Sequence, residues 1–355
     1  MRNKTRLAAA MACVLLLAGC GPRTTAPEPY PEPAGTEPAK TAAYVPLDDR
    51  PDNVERVVYL AESLGYALEM PEADWYQTRL DGQPPNGDGT QCGNPRALYN
   101  WVLEQEAAGC DRYILSLDQL HSGGLVISRS LTEDTPELPE RDGVPSSRPA
   151  ADLLELLAGD GDNVVWLLDS VMRLAPTVGY KGGTLEDYNQ VRAYGTEPRR
   201  TLEGAELPLA NVFQSYLYSA DGQALLERPE YAASEALRSS LETRQRKLRL
   251  SDEVQAILSR PGYENFRLLI GIDDSSLEDC IQKNEIAYLR RGLRTDRAGN
   301  RLDWLLSGVD DLAFKAVARM YLDETGWDGG TAAVRYYGGT EDRPACDYDF
   351  QPLTT

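Results

Sequence analysis

The sequence predicts an α/β protein, with helices flanking a mainly parallel sheet or barrel. Two observations carry that expectation. Short apolar runs of strand length alternate with longer helical patterns along most of the chain. The first such unit reads strand–helix–strand, a connection that implies parallel pairing. About 314 residues follow position 41, enough for one large domain or two modest ones.

The elements follow in order. Tyr44 to Leu47 is a short apolar run, and Asn53 to Leu64 carries a helical pattern that Gly65 stops. Tyr66 to Met70 reads as the second strand. A helix is expected over Pro95 to Ala108, with Pro95 in its first turn and Gly109 at its end. Tyr113 to Leu117 reads as a strand, Ala151 to Leu157 as a helix, and Val164 to Leu168 as a strand again. A long, mostly helical insertion near 179–260 includes the basic cluster Arg244, Arg246, Lys247 and Arg249. Leu268 to Ile272 is a strand, Glu285 to Arg291 and Asp311 to Tyr321 are helical, and Ala332 to Tyr337 is a final strand. No internal repeat is visible.

The N-terminus reads as an address rather than as fold. Arg2, Lys4 and Arg6 precede an apolar run from Leu7 to Leu17, which ends in Leu17-Ala18-Gly19-Cys20. That is the pattern of a lipoprotein signal peptide over residues 1–19, with Cys20 as the lipidated residue. Residues 20–41 then form a Pro-, Thr- and Glu-rich stalk with too little apolar surface to offset its ordering entropy. The expectation is an extracytoplasmic α/β domain over 42–355, whose membrane partner is reached through acyl chains on Cys20. No later run approaches 18 apolar residues.

Composition narrows the partners. The formal charge is −20, and loss of Arg2, Lys4 and Arg6 with the leader makes it −23, which argues against nucleic acid. Besides Cys20, the cysteines beyond the leader are Cys92, Cys110, Cys280 and Cys346, of which Cys92 and Cys110 would close a short loop in an oxidising compartment. Their spacing matches no zinc pattern, and His121 is the single histidine, so a histidine-based metal site is excluded. A hard cation held by carboxylates stays open. No cofactor is expected.

Four strands run into aspartate: Asp48-Asp49-Arg50-Pro51 after the first, Asp118 after Tyr113–Leu117, Asp169 with Arg173 close behind, and Asp273-Asp274. In parallel α/β folds the carboxyl ends of all strands share one edge, and ligands bind there. Taken singly, an aspartate after a strand is as readily a turn former or helix cap. Adjacent carboxylates repel, so a doublet can hold one protonated acid beside an ionised partner, a division suited to glycoside cleavage. Asp310-Asp311 precedes a helix and reads better as an acidic first turn. Gly123-Gly124 permits close backbone approach, and Arg129 can bind a carboxylate or phosphate. His121 reads as an incidental loop histidine, and Ser122 and Ser128 lack a Ser-His-Asp context.

In sequence order, Pro46 to Pro51, Asp118 through Gly123-Gly124-Leu125 to Ser128-Arg129, Met172-Arg173, and Asp273-Asp274-Ser275 followed by Glu285 resemble motifs of one bacterial family, domain of unknown function 4127. Gly308-Val309-Asp310-Asp311 is similar to that family's Gly-x-Asp-Glu element, and Tyr348 to Leu353 to its Tyr-Asp-x-x-Pro-Leu element. The resemblance spans about Ala43 to Leu353 and supplies no reaction. It implies a longer chain with a Gly-Trp-Asn-Thr motif beyond Thr355, and a glycine where Asp279-Cys280 stands. The expectation is therefore a shortened member or a truncated gene product.

Together these readings point to a carbohydrate-active hydrolase with an acidic cleft. Asp273 and Asp274 are the expected catalytic pair, with Asp48, Asp49, Arg50, Asp118, Gly123, Gly124, Arg129, Arg173 and Glu285 binding a carbohydrate ligand. Trp75, Tyr76 and Trp166 are candidates to stack on sugar faces, with core packing the better reading for Trp166. The alternative is a non-catalytic solute- or glycan-binding lipoprotein using the same carboxylates. A third is a hydrolase with a carboxylate-bound metal.

Overall fold

A computed structural model describes residues 40–131, 140–141, 144–145, 149–275 and 280–327. The leader, Cys20, Cys346, the expected strand at Ala332 to Tyr337 and the Tyr348 to Leu353 element lie outside the described residues.

Among the described residues, six strands form one all-parallel sheet: β1 (Lys40–Val45), β2 (Tyr66–Glu69), β3 (Arg112–Ser116), β6 (Val164–Val171), β7 (Phe266–Ile272) and β8 (Asp303–Ser307). A separate antiparallel pair joins β4 (Glu140–Arg141) to β5 (Val144–Pro145). The order across the large sheet is β2-β1-β3-β6-β7-β8, with edges at β2 and β8. Among the described residues the sheet is therefore open rather than closed into a barrel. The order reverses direction between β1 and β3, which is the switch point of a doubly wound fold.

The strands are apolar on both faces because helices cover both. Along β3, Tyr113 and Leu115 face one core and Ile114 the other; along β6, Val165 and Leu167 oppose Trp166 and Leu168. The first core packs on α2 (Pro95–Ala107), α4 (Pro149–Gly159), α8 (Glu235–Leu258) and α9 (Gln282–Arg291). The second packs on α1 (Glu55–Ser63) and α10 (Leu312–Thr325). Short α3 (Leu117–Ser122) follows β3 directly. Between β6 and β7 lie α5 (Leu185–Thr196), α6 (Leu209–Ser215), α7 (Pro229–Ala232) and α8.

Four details depart from the sequence reading. β1 begins at Lys40 and pairs Lys40 with Tyr66 and Thr41 with Ala67, so two residues with stalk-like composition belong to the sheet. β8 carries no clear apolar run; only Asp303 and Leu305 are buried, as suits an edge strand. Asp169 does not follow β6 but lies inside it, opposite Ile270. Cys92 and Cys110 are both free thiols, so they do not close the short loop.

Candidate functional site

The carboxyl ends of the parallel strands bring the expected aspartates and arginines to one edge. Asp118, after β3, and Asp273, after β7, share that edge because β3 and β7 both run parallel to β6 between them. From there the residues separate into an outer charged rim and an inner buried network.

The rim starts after β1. Asp48 is buried and accepts from Asn53 Nδ2 at 2.9 Å and from the Arg50 backbone at 3.1 Å, so the Asp-Asp-Arg-Pro segment is a turn tied to its own carboxylate. Arg50 donates from Nε to Asp48 at 2.9 Å and from Nη2 to Asp310 at 2.5 Å. The Asp310 contact corrects the simple helix-cap reading of Asp310-Asp311: only Asp311 stays with its helix, paired with Lys315 at 2.9 Å. Gly271 explains how the Asp310 segment reaches the rim. A Cβ at Gly271 would sit 2.4 Å from the Gly308 carbonyl oxygen, so only glycine admits the turn after β8 at this point.

After β7 the doublet divides. Asp273 is buried and pairs with the buried Arg129. Burial pushes the Asp273 carboxyl above its ordinary range against the pull of Arg129, and the neighbouring Asp274 adds to the push. Asp274 is exposed, its side chain 47% accessible, and lies 3.2 Å from Arg173 Nη1. Arg173 is fixed from behind by donating Nε to the Ala175 carbonyl at 2.7 Å and Nη2 to the Pro176 carbonyl at 2.9 Å. Arg129 likewise reaches Thr177 Oγ1 at 3.3 Å. Pro176, Thr177 and Ser130 border a pocket of about 220 Å³ beside these pairs.

The inner network is built by α8. Lys247 Nζ lies 2.5 Å from Asp118 Oδ1 and 2.9 Å from Asp169 Oδ1, and all three are buried. Ser170 Oγ donates to Asp118 at 2.7 Å and Ser251 Oγ to Asp169 at 2.6 Å. Burial opposes the Lys247 charge, but the two carboxylates outweigh it and hold its pKa above the ordinary lysine range. One turn earlier, Arg244 pairs with Glu285 at 2.7 Å and donates to the Arg173 carbonyl, while Tyr216 donates to Glu285 at 2.6 Å. Thr243 Oγ1 donates to the Ser130 carbonyl at 3.0 Å, next to Arg129. Thus one face of α8 (Thr243, Arg244, Lys247 and Ser251, at helical spacing) grips the backbone beside Arg129 and Arg173 and the side chains of Asp118 and Asp169.

Several expected residues are placed away from open space. Asp118 and Glu285 are enclosed in the α8 network. Gly123 and Gly124 do packing work: a Cβ at Gly123 (φ +85°) would lie 2.5 Å from the Gly93 carbonyl oxygen, and one at Gly124 would crowd Gln119. Gln119 itself bridges the Leu47 and Tyr76 carbonyls across the switch point at 3.1 and 2.8 Å. Asp49 is half-buried near Tyr76. His121 ends α3 rather than a loop, and burial next to Lys247 lowers its pKa. Tyr76 and Trp166 are buried, Trp166 stacked on Trp304 at 6.0 Å, and Trp75 packs on the core. Among the described residues no three carboxylate, thiol or imidazole groups converge on a metal-sized point. Lys247 and Arg244 are the residues that sequence reasoning passed over. Their signal was the spacing of three within the basic cluster, which puts both on one helix face, while Arg249 turns away onto the Phe213 ring.

Fold and site thus define an open, doubly wound α/β protein with a charge-paired polar rim at the carboxyl ends of its strands. The chain belongs to the family described as protein of unknown function (DUF4127), whose model matches residues 42–355. No curated protein and no solved structure matches it.

Proposed function

We propose that the protein is a carbohydrate-active hydrolase working at the carboxyl edge of its sheet, with Asp273 and Asp274 as the acid–base pair. The observation that carries this reading is the unlike environment of two adjacent carboxyls. Asp273 is buried against Arg129, with burial raising its carboxyl above the ordinary range, whereas Asp274 is exposed and paired with Arg173. The rim chemistry supports a neutral, hydroxyl-rich substrate. Arg50, Arg129 and Arg173 face Asp48, Asp273, Asp274 and Asp310, so these three arginines leave no surplus cation among the described rim residues to seek a phosphate. A sugar hydroxyl can donate to such a carboxylate and accept from its guanidinium at the same time. In this reading Asp48, Asp49 and Arg50 border the substrate, and Asp118 and Glu285 hold the frame behind it. The stage for this chemistry is extracytoplasmic, with the domain tethered through a lipid on Cys20.

One observation favours a second reading, non-catalytic glycan binding: Asp48, Asp273, Asp274 and Asp310 are each tied to an arginine, an arrangement that captures hydroxyls without turnover. A glycan panel separates the two. Hydrolysis requires released reducing ends that Asp274→Asn suppresses; binding requires saturable association, no product, and weaker affinity in the same variant. If no glycan is either cleaved or bound, both readings fail.

A further inference from the structure

The pocket beside the Arg129 and Arg173 pairs has a makeup of its own. Its volume of about 220 Å³ falls below the ~300–1,000 Å³ of pockets that take drug-sized ligands. Half-buried Val126 and Leu131, with Pro176, give it an apolar wall, and Ser130, Thr177 and Ser239 bring hydroxyls. We propose that this pocket is a subsite seating a single neutral sugar ring next to Asp273 and Asp274. The inference rests on the carbohydrate reading above and specifies where one ring of the substrate sits.

Three features support it. The pocket wall and the rim are one piece of chain: Thr177 accepts from Arg129 Nε at 3.3 Å, and the Pro176 carbonyl accepts from Arg173 at 2.9 Å. A ring in the pocket therefore lies against Pro176 and Thr177, which brace the two arginines paired with Asp273 and Asp274. Its apolar C–H face has Val126, Leu131 and Pro176 to pack on, and its hydroxyls meet the serine and threonine groups. The rim adds Lys181, Asp187 and Glu235, with no excess positive charge, so an anionic sugar is disfavoured.

The pocket floor is also held in a costly state. The Tyr180 hydroxyl is buried, and among the described residues only the weakly polar Cys92 thiol is beside it to bond with. Next to it, Lys181 (φ +52°) is the one non-glycine residue with positive φ among the described residues. Asp81 pins that conformation by accepting from the Lys181 and Gly182 backbone at 2.9 Å each. Strain of this kind persists where the surroundings over-determine it, and it concentrates at ligand clamps.

The test uses the folded chain with methyl glycosides of neutral hexoses and N-acetylhexosamines as probes, a methyl glucuronide as the anionic control, and binding read by ligand-observed NMR titration. Ala236→Trp fills the pocket from the first turn of α8 without touching the rim, and Ser239→Trp fills it from the next turn. The expected result is binding of at least one neutral glycoside but not the glucuronide. Both variants should weaken that binding by about tenfold or more, the loss of one or two net hydrogen bonds. Absence of binding by every neutral probe overturns the proposal, as does binding that both fillings leave unchanged. If the fillings change nothing while Asp274→Asn abolishes glycan turnover, the subsite is wrong and the hydrolase reading stands. If the fillings abolish binding while Asp274→Asn leaves turnover intact, the subsite stands and the catalytic pair is wrong.

Discussion

Replacing Lys247 with methionine probes the α8 network more sharply than any other single change. The ammonium is the shared counter-charge of Asp118, 1% exposed, and Asp169, 0% exposed. Methionine keeps the stem's volume but leaves two carboxylates facing each other, with the Ser170 and Ser251 hydroxyls and the Ser170 backbone N–H to satisfy them. Breaking a buried pair by removing one partner costs about 3–5 kcal/mol, a large share of the ~5–15 kcal/mol that holds most domains together. Urea unfolding at pH 7 should show that loss as a lower midpoint with an unchanged slope. Acidification should restore part of it, because protonating one stranded carboxylate removes a buried charge. Adding Asp118→Asn and Asp169→Asn should do the same at neutral pH. A loss below about 1 kcal/mol, the worth of a surface pair, would refute the network's role. So would a loss that neither acid nor the asparagines relieve.

Other expectations follow from the same geometry. The Asp273 carboxyl is raised in the fold, so its favourable contribution is full below the unfolded pKa of about 3.9 and is lost as pH rises through the higher folded value. Asp273→Asn should therefore flatten the fall in stability between acid and neutral pH, and identical pH profiles for both proteins would contradict the burial argument. Gly271→Val forces a side chain into the Gly308 carbonyl and should cost on the order of 1–3 kcal/mol in urea unfolding; an unchanged midpoint would show that the β8 turn is not held there. From the sequence alone, the proposed anchor predicts that Cys20→Ala releases the protein from membranes, with intact mass of the parent showing an acyl-bearing N-terminus at Cys20. A variant that stays fully membrane-bound would refute the anchor.

Much of the fold was legible because parallel strands buried on both faces leave continuous apolar runs, as in Val164–Leu168 and Leu268–Ile272. β8 was not, since an edge strand with a half-exposed Trp304 and Leu306 carries little of that signal. Asp169 looked like a strand terminator because a carboxylate inside a central strand is too costly to expect. Lys247, 78 residues away on α8, supplies the counter-charge that makes it tolerable. The strand-end doublets and Arg129 and Arg173 were readable from position alone, since topology fixes which edge they reach. Their division into an exposed rim and an enclosed network was not, because it depends on which side chains α8 inserts. The Asp310–Arg50 contact spans 260 residues and has no local signature at all.

The most direct measurement of the central claim is release of reducing ends from a glycan panel by the wild type and Asp274→Asn side by side. Asp274 suits the comparison because its side chain is 47% exposed, so the amide should leave the fold intact. The account predicts turnover of at least one glycan by the wild type and a fall of about 100-fold or more in the variant, as expected for loss of a general acid or base. Undiminished turnover in Asp274→Asn, with thermal unfolding unchanged, would contradict it.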